Sequence, residues 1–217
     1  MKFLSAILAL AMGIAATAQP AQAQSAFRAG PDATTPLPPL IDRLRQGGLI
    51  LVIRHERTEI PSREDDFGTP RTDCLAQRNL SAAGHAGARE TGAALRALGI
   101  AVGEVRASPI CRTMDTARLM FDRAVADERL MHDDPPRGRT AAVADADIKA
   151  AARSVDLSRG NVALVTHGGI IAKAFGTAIS EGGILIVERR ADGRFVALGH
   201  TTGSDLGFPA RARLADR

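Results

Sequence analysis

Uninterrupted apolar runs mark the expected strands of this chain. Leu49–Ile53 contains five apolar residues without a polar break, and Asn161–Thr166 is similarly apolar. Runs of four to eight such residues are typical of strands that are buried on both faces. Ile100–Ala107 is a further predicted strand, which Ser108-Pro109 ends. The pattern therefore predicts a sheet with fully buried central strands.

Segments with helical spacing of apolar residues separate these strands. The predicted helices are Leu40–Gln46, Ser81–Leu98, Cys111–Phe121, Thr140–Ala152 and Ile170–Ile179. A short strand is expected near Arg129-Leu130. Gly183–Arg189 and Phe195–His200 alternate in polarity, and the turn residues Ala191-Asp192-Gly193 between them predict a hairpin.

Alternation of strands with helices is typical of layered α/β folds. We therefore expect one three-layer α/β/α domain over residues 40–217, with a mostly parallel central sheet and an antiparallel edge strand. The segment Glu59–Asn79 has no apolar period and follows the first strand directly. Long loops in compact domains are often functional, so this loop is a candidate for substrate selection.

The amino-terminal segment has the pattern of an export signal. Lys2 precedes an apolar stretch, and Ala21-Gln22-Ala23 is a small-x-small cleavage site. The apolar stretch is too short for a typical transmembrane helix, so no stable membrane anchor is expected. We interpret residues 1–23 as a signal peptide and residues 24–39 as an extended lead-in. The mature protein is then expected in the periplasm or outside the cell.

Composition narrows the function classes. The chain of 217 residues is 45% hydrophobic and 24% charged, with no Trp and no Tyr. Aromatic platforms for single-stranded nucleic acid are therefore not expected. The charged residues of the chain are interspersed rather than grouped in blocks, so no nucleic-acid partner is predicted.

Cys74 and Cys111 are an even pair in a chain expected to be exported. This favours a disulfide between them, with two buried free thiols as the alternative.

Histidines and arginines occur where strands end and a helix begins. Arg54 and His55 follow the first buried strand, and His167 with Gly168 follows the strand at Asn161–Thr166. Arg112 lies in the first turn of a predicted helix, and helix amino termini favour anions. Ligands of open α/β sheets bind at the carboxyl ends of the strands. These residues predict a cationic pocket for a phosphate-sized dianion.

Four sequence blocks in this order resemble the histidine phosphatase (phosphoglycerate mutase-like) superfamily. They are Arg54-His55-Glu56-Arg57-Thr58, Leu80-Ser81-Ala82-Ala83-Gly84, the segment from Ser108-Pro109 through Arg112 to Thr116-Ala117, and His167-Gly168-Gly169. The run between Phe121 and Asn161 is too short for the large helical insert of the inositol-phosphate members. The resemblance is therefore to the compact branch.

The resemblance implies a hydrolase of the histidine acid phosphatase type, with no cofactor and no metal. His55 would form a phosphohistidine that water hydrolyses, while Arg54 and Arg112 grip the phosphoryl oxygens and His167 donates a hydrogen bond to them. Thr58 and Gly168 would contribute to substrate binding. Arg78 is also expected to line the pocket and bind substrate, because a Cys74–Cys111 bridge would tie its loop to the helix that presents Arg112.

The sequence departs from the family pattern at two places. Glu56 replaces a small residue after the Arg-His pair, and Gly87-Ala88 replaces a Gln-Ala pair in the following helix. The carboxylate that many members use to protonate the leaving group has no clear match. Asp133 is our first choice, followed by Asp134, His132 and Glu128, and the donor can also be absent.

Other functions stay open at this point. A non-catalytic phosphate- or sugar-phosphate-binding protein is the main alternative, followed by a phosphomutase and by a metal-dependent phosphohydrolase using His132-Asp133 with His55 and His167. The expected partner is a phosphorylated small molecule or an envelope phosphate ester. The sequence determines neither the substrate nor the oligomeric state.

Overall fold

The computed structural model of the protein describes residues 37–59, 73–134 and 138–215. The predicted signal peptide, most of the lead-in and much of the loop after Glu59 lie outside this part of the chain. The elements in chain order are α1 (Leu37–Gln46), β1 (Ile50–Arg54), α2 (Ala82–Ala97), β2 (Val102–Ala107), α3 (Cys111–Phe121), β3 (Val125–Ala126), α4 (Ala141–Ser154), β4 (Asn161–Thr166), α5 (Gly168–Phe175), β5 (Ile184–Arg189), β6 (Phe195–Thr201) and α6 (Gly203–Ala215).

Within the described residues the strands form one six-stranded sheet in the order β3-β2-β4-β1-β5-β6. The strands β3, β2, β4 and β1 pair in parallel. The strand β5 is antiparallel to both β1 and β6, and the β5–β6 hairpin forms one edge of the sheet. The mostly parallel sheet with an antiparallel edge hairpin is therefore confirmed.

Alternating residues of the central strand β1 face two separate cores. Leu51 and Ile53 pack into a core with apolar residues of α1, α2, α3 and α6. Ile50 and Val52 pack on the opposite face, with apolar residues of α4 and α5. Burial on both faces explains why β1 reads as an unbroken apolar run, and it produces the three layers that were expected.

Several predicted element limits are wrong. The helix α1 begins at Leu37, because Pro38 and Pro39 fit the first turn of a helix, where backbone N–H groups need no partner. The segment Glu128–Leu130 is a 3₁₀ turn rather than a strand, since the Asp127 side chain accepts the Arg129 N–H and caps the turn. The helix α5 begins at Gly168 and ends at Phe175, where Gly176 adopts a left-handed conformation.

Two further features were not predicted. The helix α6 packs along α2, although the sequence after residue 201 had no assigned element. A second 3₁₀ turn, Cys74–Ala76, lies within the long loop. In the described parts of the chain no helix has both the length and the apolar character needed to cross a membrane.

Candidate active site

The parallel order of β2, β4 and β1 brings their carboxyl ends to one edge of the sheet. Ser108 follows β2, His167 follows β4, and His55 follows β1. The His55 N–H donates to the Thr166 carbonyl at 3.0 Å, and the Ser108 N–H donates to the Val165 carbonyl at 3.0 Å. These bonds extend the ladder beyond the strands, so the side chains of the three residues are placed by the sheet itself.

The hydrogen bonds of His55 define its tautomer. Its Nδ1 lies 2.8 Å from the Glu56 carbonyl oxygen, which can only accept, so Nδ1 carries the proton. The other ring nitrogen, Nε2, then holds a lone pair. Burial is the main cause that lowers the pKa of His55 to about 3, and the positive charges of Arg112, Arg54 and Arg78 lower it further. The imidazole is consequently neutral over most of the pH range.

His167 is buried between cationic and polar groups. Its Nδ1 accepts from the Arg112 Nη2 at 3.5 Å, which leaves the proton on Nε2 to be donated to the Ser108 Oγ at 3.0 Å. Burial and the charge of Arg112 lower the pKa of His167 well below its ordinary value. The rings of His55 and His167 are 5.6 Å apart, so the two predicted histidines do meet in one site.

Arg112 is almost completely buried, with 3% of its surface exposed. Its helix α3 begins next to the loop that carries Arg78, and the Arg112 Nη1 donates to the Arg78 carbonyl at 3.4 Å. The Cys111 N–H at the start of α3 donates to the Gln77 Oε1 at 2.9 Å. The loop and the helix are therefore joined directly beside the guanidinium.

A disulfide between Cys74 and Cys111 links the same two elements. The covalent bond and the Gln77 hydrogen bond hold the Arg78 loop against α3. The charge of Arg78 also helps to lower the pKa of both His55 and His167. That the Arg78 side chain lines the pocket and binds substrate stays a prediction.

Arg54, at the end of β1, is held by the segment before β5. Its Nη1 donates to the Ile179 carbonyl at 3.1 Å, and its Nη2 pairs with Glu181 at 3.5 Å. A Cβ on Gly168 would lie 3.0 Å from the Arg54 Cδ and Nε, so glycine at the start of α5 leaves room for this side chain. Its buried Nε has no hydrogen-bond partner among the described residues.

Thr58 does not contact the histidines through the bonds that the structure gives it. Its Oγ1 donates to the Glu181 Oε1 at 3.4 Å, and its backbone forms an isolated bridge with Leu80. Thr58 and Arg54 thus hold the same carboxylate. Neither Glu181 nor Ser108 was expected to act in the site. Only Ser108 had a usable signal, namely its position at the end of a strand beside Pro109.

The two departures from the family pattern compensate each other in space. The Glu56 carboxylate lies against Gly87, where an added Cβ would be 3.0 Å from both of its oxygens. Glycine at position 87 therefore makes the room that the larger residue at position 56 fills. The Glu56 N–H donates to the Thr116 Oγ1 at 3.0 Å, which anchors the segment after His55 to α3.

Charge distinguishes this pocket from a neighbouring cavity. A cavity of about 160 Å³ is lined by three carboxylates, those of Glu56, Glu90 and Glu181, and by one guanidinium, that of Arg57. Burial raises the pKa of Glu56, and the charges of Glu181 and Glu90 add to this effect. A carboxylate lining disfavours an anion, so the guanidinium side around His55 is the side suited to phosphate.

The expected proton donor, Asp133, lies in the segment that follows the 3₁₀ turn at Glu128–Leu130. Its carboxylate pairs with Lys173 of α5 at 3.7 Å and is 37% exposed. The ring of its neighbour His132 contacts the His167 ring, with centroids 4.8 Å apart. Among the described residues there is no group of three or more His, Cys, Asp or Glu side chains placed to hold a metal ion.

Neither a protein-family model nor a curated protein matches this sequence. Solved structures do match its fold. The protein histidine phosphatase SixA complexed with tungstate has a TM-score of 0.54 and 14% identity, covering 73% of this chain and 99% of that one.

Two further matches have the same TM-score. A phosphoserine phosphatase mutant from Entamoeba histolytica, in complex with phosphoserine, has a TM-score of 0.54 and 14% identity over 73% of this chain and 98% of that one. The alpha-ribazole phosphatase from Shigella flexneri has a TM-score of 0.54 and 15% identity over 69% of this chain and 94% of that one. The chain therefore has the same fold as these phosphatase structures.

Proposed function

We propose that this protein is a phosphomonoesterase that works through a phosphohistidine on His55. The observation that carries the proposal is that the His55 imidazole is neutral and has a free lone pair on Nε2. Its Nδ1–H donates to the Glu56 carbonyl, and its low pKa keeps Nε2 unprotonated. A neutral imidazole beside guanidinium groups is a nucleophile placed next to an anion site. Similar folds among enzymes named as phosphatases support the same reaction class.

The reaction begins with a phosphate ester dianion between Arg54 and Arg112. The His55 Nε2 attacks phosphorus, an N–P bond forms, and the bond to the leaving oxygen breaks. Water then attacks the phosphohistidine, the N–P bond breaks, and inorganic phosphate leaves. Bidentate guanidinium contacts stabilise the charge on the equatorial oxygens in both steps.

His167 takes part through its Nδ1, which faces Arg112. The charge of Arg112 is one cause of its low pKa. A bound dianion offsets that charge, so His167 takes up a proton as the substrate binds and donates from Nδ1 to a phosphoryl oxygen. Its Nε2–H bond to Ser108 keeps the ring in the required orientation.

We further propose that residues 1–23 direct export and that the substrate is a phosphorylated small molecule or an envelope phosphate ester. The support is the amino-terminal pattern and the arginine-rich pocket, which suits a dianion. Cell fractionation and amino-terminal sequencing of the mature chain test the first point. A mature chain that begins near residue 24 is expected, and retention of Met1 in a cytoplasmic protein would contradict it.

The deciding experiment is phosphoenzyme trapping. Wild type, His55→Ala and a matched control, His85→Ala on helix α2, are quenched in alkali during turnover of ³²P-labelled p-nitrophenyl phosphate. We expect an acid-labile, alkali-stable label on wild type and the control, and none on His55→Ala. Turnover without label that is lost in chelator would favour a metal-dependent enzyme. Phosphate binding with neither turnover nor label would favour a binding protein.

A further inference from the structure

The segment 128–134 forms a wall beside the two catalytic histidines. Within it, the His132 ring meets the His167 ring edge-on, with centroids 4.8 Å apart and planes at 86°. The His55 and His167 rings are 5.6 Å apart. His167 therefore contacts both rings, and a third imidazole belongs to the site.

Two side chains fix the backbone around His132. The Thr166 Oγ1, at the end of β4, donates to the Leu130 carbonyl at 2.6 Å. The Arg139 guanidinium donates to the carbonyls of Met131 and His132 at 3.2 and 3.1 Å. Arg139 is in turn held by Asp147 of α4 at 2.5 Å. The position of His132 is thus set by the sheet on one side and by α4 on the other.

The proton on the His132 ring is also assigned by its contacts. Its Nδ1 lies 2.6 Å from the Asp133 carbonyl oxygen, an acceptor, so Nδ1 carries a proton. Proton exchange with a substrate must then take place at Nε2. The Asp133 carboxylate, by contrast, pairs with Lys173 on the surface of α5. The Asp133 carboxylate thus lies against the Lys173 side chain, whereas the His132 ring lies against the His167 ring.

We propose that His132, rather than Asp133, protonates the leaving oxygen. The proposal rests on the proposed phosphohistidine mechanism. In the first step the His132 imidazolium gives its Nε2 proton to the oxygen whose bond to phosphorus breaks, and it becomes neutral. In the second step its Nε2 removes a proton from the water that attacks phosphorus. The N–P bond electrons return to His55, and His132 is again an imidazolium.

Leaving-group chemistry tests this role. An alkyl phosphate such as β-glycerophosphate expels a strongly basic oxygen that needs a proton, whereas p-nitrophenolate leaves without one. General acid catalysis typically contributes ~10²–10⁴-fold. For His132→Gln we expect kcat/KM on β-glycerophosphate to fall roughly 100-fold. We expect a loss on p-nitrophenyl phosphate that is at least about tenfold smaller.

The competing variant is Asp133→Asn. It should change kcat/KM by the same factor on both substrates. His200→Gln, an exposed histidine on β6, is the matched control for the substitution itself. An equal loss on both substrates in His132→Gln, or a selective loss on the alkyl ester in Asp133→Asn, overturns the proposal.

Phosphoenzyme trapping separates this proposal from the function on which it rests. His132→Gln should still acquire label from p-nitrophenyl phosphate, because that first step needs no proton donor. Absence of label on wild type would refute the phosphohistidine mechanism itself. Thermal unfolding confirms that the variant is folded, and His132→Asn replaces it if it is not. Recovery of alkyl ester turnover with added imidazole is expected for the smaller variant.

Discussion

The pocket has a floor and a wall that are built in different ways. The floor consists of His55, Arg112 and His167, which are 2%, 3% and 5% exposed. It rests on the ends of β1 and β4 and on the first turn of α3. The wall is the segment 128–134, whose backbone carbonyls accept from the Thr166 hydroxyl and from the Arg139 guanidinium. The floor thus inherits its geometry from the sheet, while the wall depends on a few side-chain bonds.

The largest effect is expected at the floor. Replacing Arg112 by Ala removes a buried guanidinium that faces both His167 and the phosphate position. Loss of one preorganised charge-stabilising donor typically costs ~10²–10³ in kcat, so kcat/KM on p-nitrophenyl phosphate should fall by about that factor. Arg118→Ala, one exposed arginine further along α3, is the control. A loss below tenfold would contradict the role of Arg112 in stabilising charge on the phosphoryl group.

Removing the disulfide should loosen the link between floor and loop. The bridge closes a sequence separation of 37 residues. On the chain-entropy model, Cys74→Ser with Cys111→Ser costs about 4 kcal/mol of unfolding free energy. The KM should rise because Arg78 is no longer held beside α3. Denaturant unfolding measures the first effect and steady-state kinetics the second. A reductant should change the unfolding free energy and the KM of wild type but not those of the variant. Unchanged stability would contradict this account.

Acid should lower the free energy of unfolding of the protein over a defined pH range, because His55 in the floor is buried as a neutral imidazole. The pKa of His55 is about 3 in the folded protein and about 6.5 when unfolded. Below pH 6.5 the unfolded chain therefore binds a proton that the folded protein does not, and stability falls as the pH is lowered towards 3. Between pH 7 and pH 4 this amounts to ~3 kcal/mol. Urea unfolding across this range should be less pH-dependent in His55→Asn; an identical slope would contradict the assignment.

The wall should respond more weakly than the floor. Replacing Arg139 by Ala frees the carbonyls of Met131 and His132 and leaves the position of His132 less defined. We expect kcat on an alkyl phosphate to fall by roughly tenfold, since a displaced proton donor still samples its working position. Lys149→Ala, which breaks the Lys149–Asp145 pair on α4, the helix that holds Arg139 through Asp147, is the matched control. Equal losses in both variants would argue for general destabilisation of α4.

The smallest effect concerns the support behind His55. Gly87→Ala places a methyl group 3.0 Å from the Glu56 carboxylate oxygens. We expect a loss of about 1 kcal/mol in stability from this overpacking. In a Glu56→Ala background the same change should be neutral or stabilising, because alanine favours the helix. Denaturant unfolding of the four proteins gives the coupling energy. Additive effects would show that the two positions do not compensate.

Most of the regular elements could be predicted, and the failures have identifiable causes. Strands buried on both faces leave long apolar runs, so β1 and β4 were recognisable. The 3₁₀ turn at Glu128–Leu130 was mistaken for a strand because one side-chain cap from Asp127 decides its conformation. The helix α6 has a weak apolar pattern and contains Pro209, and its packing on α2 stabilises it. Such tertiary effects leave little trace in local periodicity.

The sequence by itself determined the floor. His55, His167 and Arg112 stand at strand ends and at a helix start, and parallel strands align such ends at one edge of a sheet. Only the tertiary structure decided the tautomer of His55, the link of Arg78 to α3 and the contact between the rings of His132 and His167. Those outcomes depend on which carbonyl, guanidinium or lysine lies within hydrogen-bond distance. Contacts of this kind join residues far apart in the chain, and no local pattern encodes them.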